Sequence, residues 1–140
     1  MICLGIESTA HTFGVGIVDS ACNVLANEKS AYTNADAGIH PRLAAEFHLA
    51  HGKEVLHRAL AKAKLSMKDI DVVSFAQGPG LGPCLRVGAI TARYLAARHS
   101  KPLLGVNHCV AHIEIGKVKT RARDPVVVYT SGANTQIIAY

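Results

Sequence analysis

An α/β fold is predicted by three observations on the 140-residue sequence: strand-like apolar alternation over the first thirty positions, helical spacing in three later segments, and short apolar runs between those segments. Residues 2–7 (ICLGIE) and 13–19 (FGVGIVD) read as strands on either side of the polar turn STAHT, Ser8 to Thr12, and a second turn, SACN, leads into a third strand within NVLANEKSAY. Three consecutive strands with short connections imply an antiparallel meander. After a polar stretch holding Asn34, Asp36, Gly38 and Pro41, a helix is expected from about Arg42 to Leu65, with Leu43, Phe47, Ala50, Leu56, Leu60 and Ala63 at near-helical spacing. Gly52 is a weak point within it, costing about 1 kcal/mol relative to alanine. DVVSFAQ reads as a buried strand, GPGLGP as a loop, and Cys84 to Arg98 as a helix with Pro83 suited to its first position. A short strand (Leu103 to Val106), a helix (about His108 to Val118), a basic connector and the hairpin VVVYTS, GAN, TQIIAY complete the order. Three antiparallel strands followed by helix, strand, helix, strand is the order of a ribonuclease-H-like domain. Because the last hairpin restarts the opening pattern, residues 1–125 are expected to form one lobe and residues 126–140 the first hairpin of a second, with the rest of that second lobe absent.

At 14.8 kDa the chain can bury ~14,000 Å², about two-thirds of its unfolded surface, so a real core is expected. With 49% hydrophobic and 18% charged residues it is not a disordered tail, and it lacks a run of 18 apolar residues. MICLGIEST holds an acid and no basic n-region, so it reads as a first strand and a cytoplasmic address is expected. Cys3, Cys22, Cys84 and Cys109 show no CxxC spacing and suit reduced core thiols better than a disulfide framework. A net charge of +5 favours a polyanion, whereas 5% aromatic residues with no tryptophan argue against a base-stacking platform. Nucleic acid would be held through its phosphates.

His108 and His112 in NHCVAH, four residues apart, share one helical face and are close enough to share a metal. A bare HxxxH more often marks a pair of histidines that merely cap or satisfy a helix end, so its context has to decide. A peptidase of the HExxH kind would need glutamate where Cys109 stands. Tyr129, at the end of a strand read as buried, is a candidate oxygen donor that would favour iron over structural zinc. GPGLGP lies between strand and helix, where amides can receive an anion, yet it lacks the GK[ST] of a P-loop and the third glycine of GxGxxG. It reads equally as a tight connection with Arg86 on the helix surface. The turns STAHT and SGAN (Ser131 to Asn134) occupy equivalent places in two copies of one pattern, as phosphate-gripping turns do in duplicated actin-like ATPases, although turn chemistry explains such residues too. Lys117, Lys119, Arg121 and Arg123 read as a solvated connector or as an RNA-phosphate contact. His40, His48, His51 and His57 do not share one face and are read as surface or packing residues.

Taken in order, GIESTAHTFGVGIVD, AGIHPRLAAEFH, GPGLGPCLRVG, NHCVAHIEIG and YTSGANTQIIAY resemble the Kae/TsaD/Gcp family in its archaeal and eukaryotic branch, over nearly all of the chain. The resemblance implies the ribonuclease-H-like lobe of the actin-like ATPase (ASKHA) fold, truncated at the start of its second lobe. It also implies transfer of threonylcarbamoyl from threonylcarbamoyl-AMP to the adenosine beside the anticodon of tRNAs reading ANN codons. By position, His108, His112 and Tyr129 match the family's metal ligands, and Tyr129, Thr130, Ser131, Gly132 and Ala133 match its substrate-binding segment. One divalent metal ion is implied, iron before zinc, with ATP or threonylcarbamoyl-AMP as nucleotide. Implied partners are tRNA and the KEOPS subunits: a kinase-like subunit, and a small dimerising subunit seated on the helices of this lobe. Ala133 departs from the family's glycine, Leu43 from its glutamate and Phe47 from its histidine. Family members are more than twice this length and place an aspartate ligand in the missing half, so the chain alone is expected to be inactive. Two other readings are a non-catalytic partner-binding module of the same complex and, less well supported, a metallohydrolase.

Overall fold

The computed structural model describes residues 1–34, 38–131 and 134–139. A five-stranded sheet runs in the order β3-β2-β1-β4-β5, formed by β1 (Ile2–Glu7), β2 (Thr12–Asp19), β3 (Val24–Ala31), β4 (Val72–Gly78) and β5 (Leu103–Asn107). The first three strands form the antiparallel meander, Leu4 opposite Ile17 and Val15 opposite Glu28, while β4 and β5 extend it parallel to β1. Helices α1 (Pro41–Ala63) and α2 (Gly82–Arg98) follow β3 and β4, and α3 (His108–Thr120) follows β5. A separate antiparallel ribbon pairs β6 (Val127–Ser131) with β7 (Asn134–Ile138). The architecture is the ribonuclease-H-like α/β lobe that the element order predicts.

Alternation along the strands decides which face is filled. Leu4, Ile6, Phe13, Val15, Ile17 and Val73 are buried with Ala44, Val55 and Ala59 of α1 and Cys84, Ala92 and Leu95 of α2. Phe13 explains Gly52: a Cβ there would lie 3.1 Å from the Phe13 ring, so the helix gives up propensity to let an aromatic side chain close in. His48, fully buried on the same face, sets its ring 5.7 Å from that of Phe13. The opposite face carries Cys3, Gly5 and Glu7 from β1 and is only lightly covered, with Ala111 of α3 bordering a shallow cavity over Gly5, Gly14 and Gly16.

Several expectations are corrected, the first by that thin cover. The strand DVVSFAQ has only Val73 fully buried, because helices pack firmly on one side of it alone. The accessible surface, 8612 Å², exceeds the ~7,000 Å² of a compact monomer of this mass. Val126 just before the ribbon and Val128 and Ile137 within it are more than 60% exposed, so VVVYTS is not a buried strand even though Tyr129 is buried. All four cysteines are free thiols, but only Cys84 is a core residue; Cys22 is exposed in the turn that Asp19 closes by accepting from the amides of Ala21 and Asn23. The predicted basic connector begins inside α3, where Lys117 pairs with Glu114 at 3.1 Å. Among the described residues no helix is long and apolar enough to cross a membrane.

Candidate metal centre

The parallel strands β1, β4 and β5 end together, at Glu7, Gly78 and Asn107, and open α/β sheets bind ligands at such carboxyl ends. Asn107 makes the junction into α3. Its side-chain oxygen accepts from the amides of Cys109 at 2.9 Å and Val110 at 3.2 Å, so the helix begins at His108. One turn later comes His112 on the same face. The two rings stand 4.5 Å apart and perpendicular, with their Nε2 atoms 3.2 Å from one another. Tyr129 of β6, 9% exposed, brings its ring within 5.7 Å of the His112 ring. His108, His112, Tyr129 and Thr130 line one cavity of about 370 Å³ with Val127 and Val128, and the histidines also border a cleft of about 620 Å³ against Thr9, His11 and Asn27.

Two nitrogen ligands about 2.1 Å from one ion stand about 3.0–3.4 Å apart when they subtend 90–110°. The Nε2 separation of 3.2 Å fits that edge. Among the described residues no three His, Cys, Asp or Glu side chains gather as a ligand set. The donors on offer are therefore two imidazoles and a phenol, a nitrogen and hard-oxygen set that suits iron or zinc and offers no thiolate.

Glu7 has no place in the site expected from sequence. Its Oε2 lies 3.2 Å from His108 Nδ1, while Oε1 accepts from the Thr9 amide at 2.6 Å and from the Thr9 hydroxyl. A carboxylate on a metal-type histidine fixes which ring nitrogen carries the proton. The only local signal was an acid closing the first strand beside two hydroxyl residues.

The structure brings His108, His112, Tyr129 and Thr130 together, Ser131 ends β6, and Gly132 and Ala133 lie outside the described residues. GPGLGP packs against the turn of residues 8–12. The Leu81 amide donates to Thr9 O at 2.7 Å, and a Cβ on Gly80 would stand 2.5 Å from that same oxygen, so the loop is pressed onto the turn that carries Thr9. Arg86 is exposed on α2. Phe47 stacks on His51 at 3.9 Å and meets Tyr32 edge-on, which gives an apolar residue at that place a packing role; Leu43 is 43% exposed. His40 caps α1, His57 is exposed, and His48 sits 2.8 Å from Ala10 O through Nε2 with Nδ1 unpartnered. Burial holds the His48 ring below the ordinary imidazole range.

Fold and site together define a ribonuclease-H-like lobe that carries a histidine pair where its parallel strands end. The chain belongs to the TsaD family, whose model, described as tRNA N6-adenosine threonylcarbamoyltransferase, matches residues 21–140. It is 55% identical over 141 residues to a tRNA N6-adenosine threonylcarbamoyltransferase of Caldivirga maquilingensis, covering all of this chain and 42% of that protein. A probable bifunctional tRNA threonylcarbamoyladenosine biosynthesis protein of Methanosphaera stadtmanae is 55% identical over 140 residues, which are 26% of its length. The chain thus spans less than half the length of these relatives. Among solved structures, YeaZ from Pseudomonas aeruginosa matches with a TM-score of 0.68 over 98% of this chain and 63% of that one, at 12% identity, a likeness of fold.

Proposed function

We propose that this chain is the N-terminal lobe, with the first hairpin of the second, of a tRNA adenosine threonylcarbamoyltransferase that uses threonylcarbamoyl-AMP and modifies the adenosine next to the anticodon in tRNAs reading ANN codons. The observation that carries the reading is the His108–His112 pair, Nε2 atoms 3.2 Å apart beside Tyr129, in a chain of the TsaD family. In the transfer, the adenosine amine forms a bond to the carbamoyl carbon, the carbon–oxygen bond to phosphate breaks, AMP leaves with that electron pair, and the amine loses a proton.

His108, His112 and Tyr129 would hold one divalent ion, iron before zinc, which when bound supplies Lewis-acid polarisation of the phosphate and carbonyl oxygens. Asn107 fixes the start of α3 and with it the direction of both imidazoles. Tyr129, Thr130, Ser131, Gly132 and Ala133 form the segment expected to grip the nucleotide, ATP or threonylcarbamoyl-AMP. Ala133 adds a methyl group where glycine would allow the closest backbone approach. Exposed Leu49 on α1 and Ile90 and Tyr94 on α2 give the small dimerising KEOPS subunit an apolar seat, with a groove of about 290 Å³ between the helices. This patch also supports the second reading, a non-catalytic partner-binding module. The kinase-like subunit, tRNA and a cytoplasmic location complete the proposal.

A chimera tests it. This chain would replace the matching N-terminal 42% of the Caldivirga relative and be assayed with threonylcarbamoyl-AMP and an ANN-reading tRNA. The chimera is expected to modify the tRNA and to lose that activity with His108→Ala, while the 140-residue chain alone leaves tRNA unmodified. Robust transfer by the chain alone, or an active chimera indifferent to His108→Ala, would overturn the reading.

A further inference from the structure

We infer that Glu7 is a positioning residue: held by Thr9, it keeps the His108 proton on Nδ1 and leaves Nε2 bare toward His112. This rests on the proposed metal-dependent transfer for its purpose, though not for its geometry.

The hydrogen bonds permit one direction only. An ionised carboxylate cannot donate, so the 3.2 Å contact between Glu7 Oε2 and His108 Nδ1 needs the proton on that nitrogen. In the neutral ring Nε2 is then an acceptor, and it faces His112 Nε2 at 3.2 Å. Thr9 completes the clamp. Its amide and hydroxyl both donate to Oε1, the other oxygen of the same carboxylate, so the group cannot turn without losing two donors. His108 is held against Glu7 across 101 residues of sequence, from the end of β1 to the start of α3, so the contact is made only by the folded sheet edge.

Glu7→Gln separates orientation from charge and size. The Thr9 amide can only donate, so it keeps the new amide oxygen on its own side and turns the NH₂ group to His108. Nδ1 must then accept, the proton moves to Nε2, and the nitrogen that should face an ion is blocked. A residue that merely supports the fold would leave the tautomer unchanged on this substitution.

The test uses the 140-residue chain labelled with ¹⁵N-histidine at pH 8, where two-dimensional spectra of the ring nitrogens distinguish the tautomers, together with Co²⁺ titration followed by visible absorption. For the wild type, His108 is expected as the Nδ1–H form. For Glu7→Gln, the Nε2–H form and a Co²⁺ affinity about 10–100-fold weaker are expected, with helix content unchanged. A wild-type His108 in the Nε2–H form, or an unchanged tautomer in Glu7→Gln, would overturn the inference. The wild-type spectrum decides even if the variant does not fold. Expected tautomers with no Co²⁺ binding would keep the clamp and sink the metal reading instead.

Discussion

Gly80→Ala strikes the contact that joins GPGLGP to the turn behind the site. An ideal Cβ at residue 80 would lie 2.5 Å from Thr9 O, 2.8 Å from Thr9 Cβ and 2.9 Å from Thr9 Cα. Two of those atoms are backbone and cannot rotate away, so the loop must move. Overpacking of this kind costs about 1–3 kcal/mol, and loss of the 2.7 Å bond from the Leu81 amide to Thr9 O adds about 1 kcal/mol. At about 3–4 °C per kcal/mol for a 140-residue chain, the sum of about 2–4 kcal/mol lowers Tm by about 6–16 °C. Gly116→Ala, on the exposed side of α3, is the control: its Cβ would meet nothing within 4 Å, and Tm should hold or rise slightly. Thermal unfolding by circular dichroism reads both variants. A Gly80→Ala protein within about 2 °C of wild type would refute the close packing of loop on turn.

Ser8→Ala should stabilise the chain by about 1 kcal/mol in urea unfolding, because the Ser8 hydroxyl is buried without a partner and its removal leaves nothing unsatisfied; a loss of stability would mean that the hydroxyl is bonded. His48 makes stability depend on pH in one direction. Its folded pKa lies below the unfolded 6.5, so its contribution is whole above about 6.5 and is lost as pH falls from there toward the folded value, by up to about 1.4 kcal/mol per unit. Urea unfolding at pH 7.5 and 5.5 should show a steeper loss for wild type than for His48→Gln, and equal slopes would contradict a neutral buried ring.

Much of the fold is legible in the sequence because its signals are local. The strand at residues 2–7, the α1 helix and the Pro-led start of α2 follow from alternation, spacing and φ preference, and each falls within a residue or two of its expected bounds. The histidine pair is equally local, since four residues on a helix place two rings together wherever that helix sits. Glu7 is not local: its partner is 101 positions away, and only the order β1-β4-β5 makes them neighbours. Burial of β4 and β6 was misread for a related reason. Apolar residues state what a strand can bury, whereas the covering comes from other elements, and α3 covers one sheet face thinly while Val126, Val128 and Ile137 stay exposed. GPGLGP is ambiguous alone, and its packing on the Thr9 carbonyl through Gly80 becomes visible only in the folded chain.

Metal content measured on anaerobically purified protein addresses the shared ion most directly. About one iron or zinc per chimera with the Caldivirga relative is expected, falling to background in the chimera carrying both His108→Ala and His112→Ala while its helix content is kept. Equal metal in the two proteins, or none in either, would contradict a centre built on that pair.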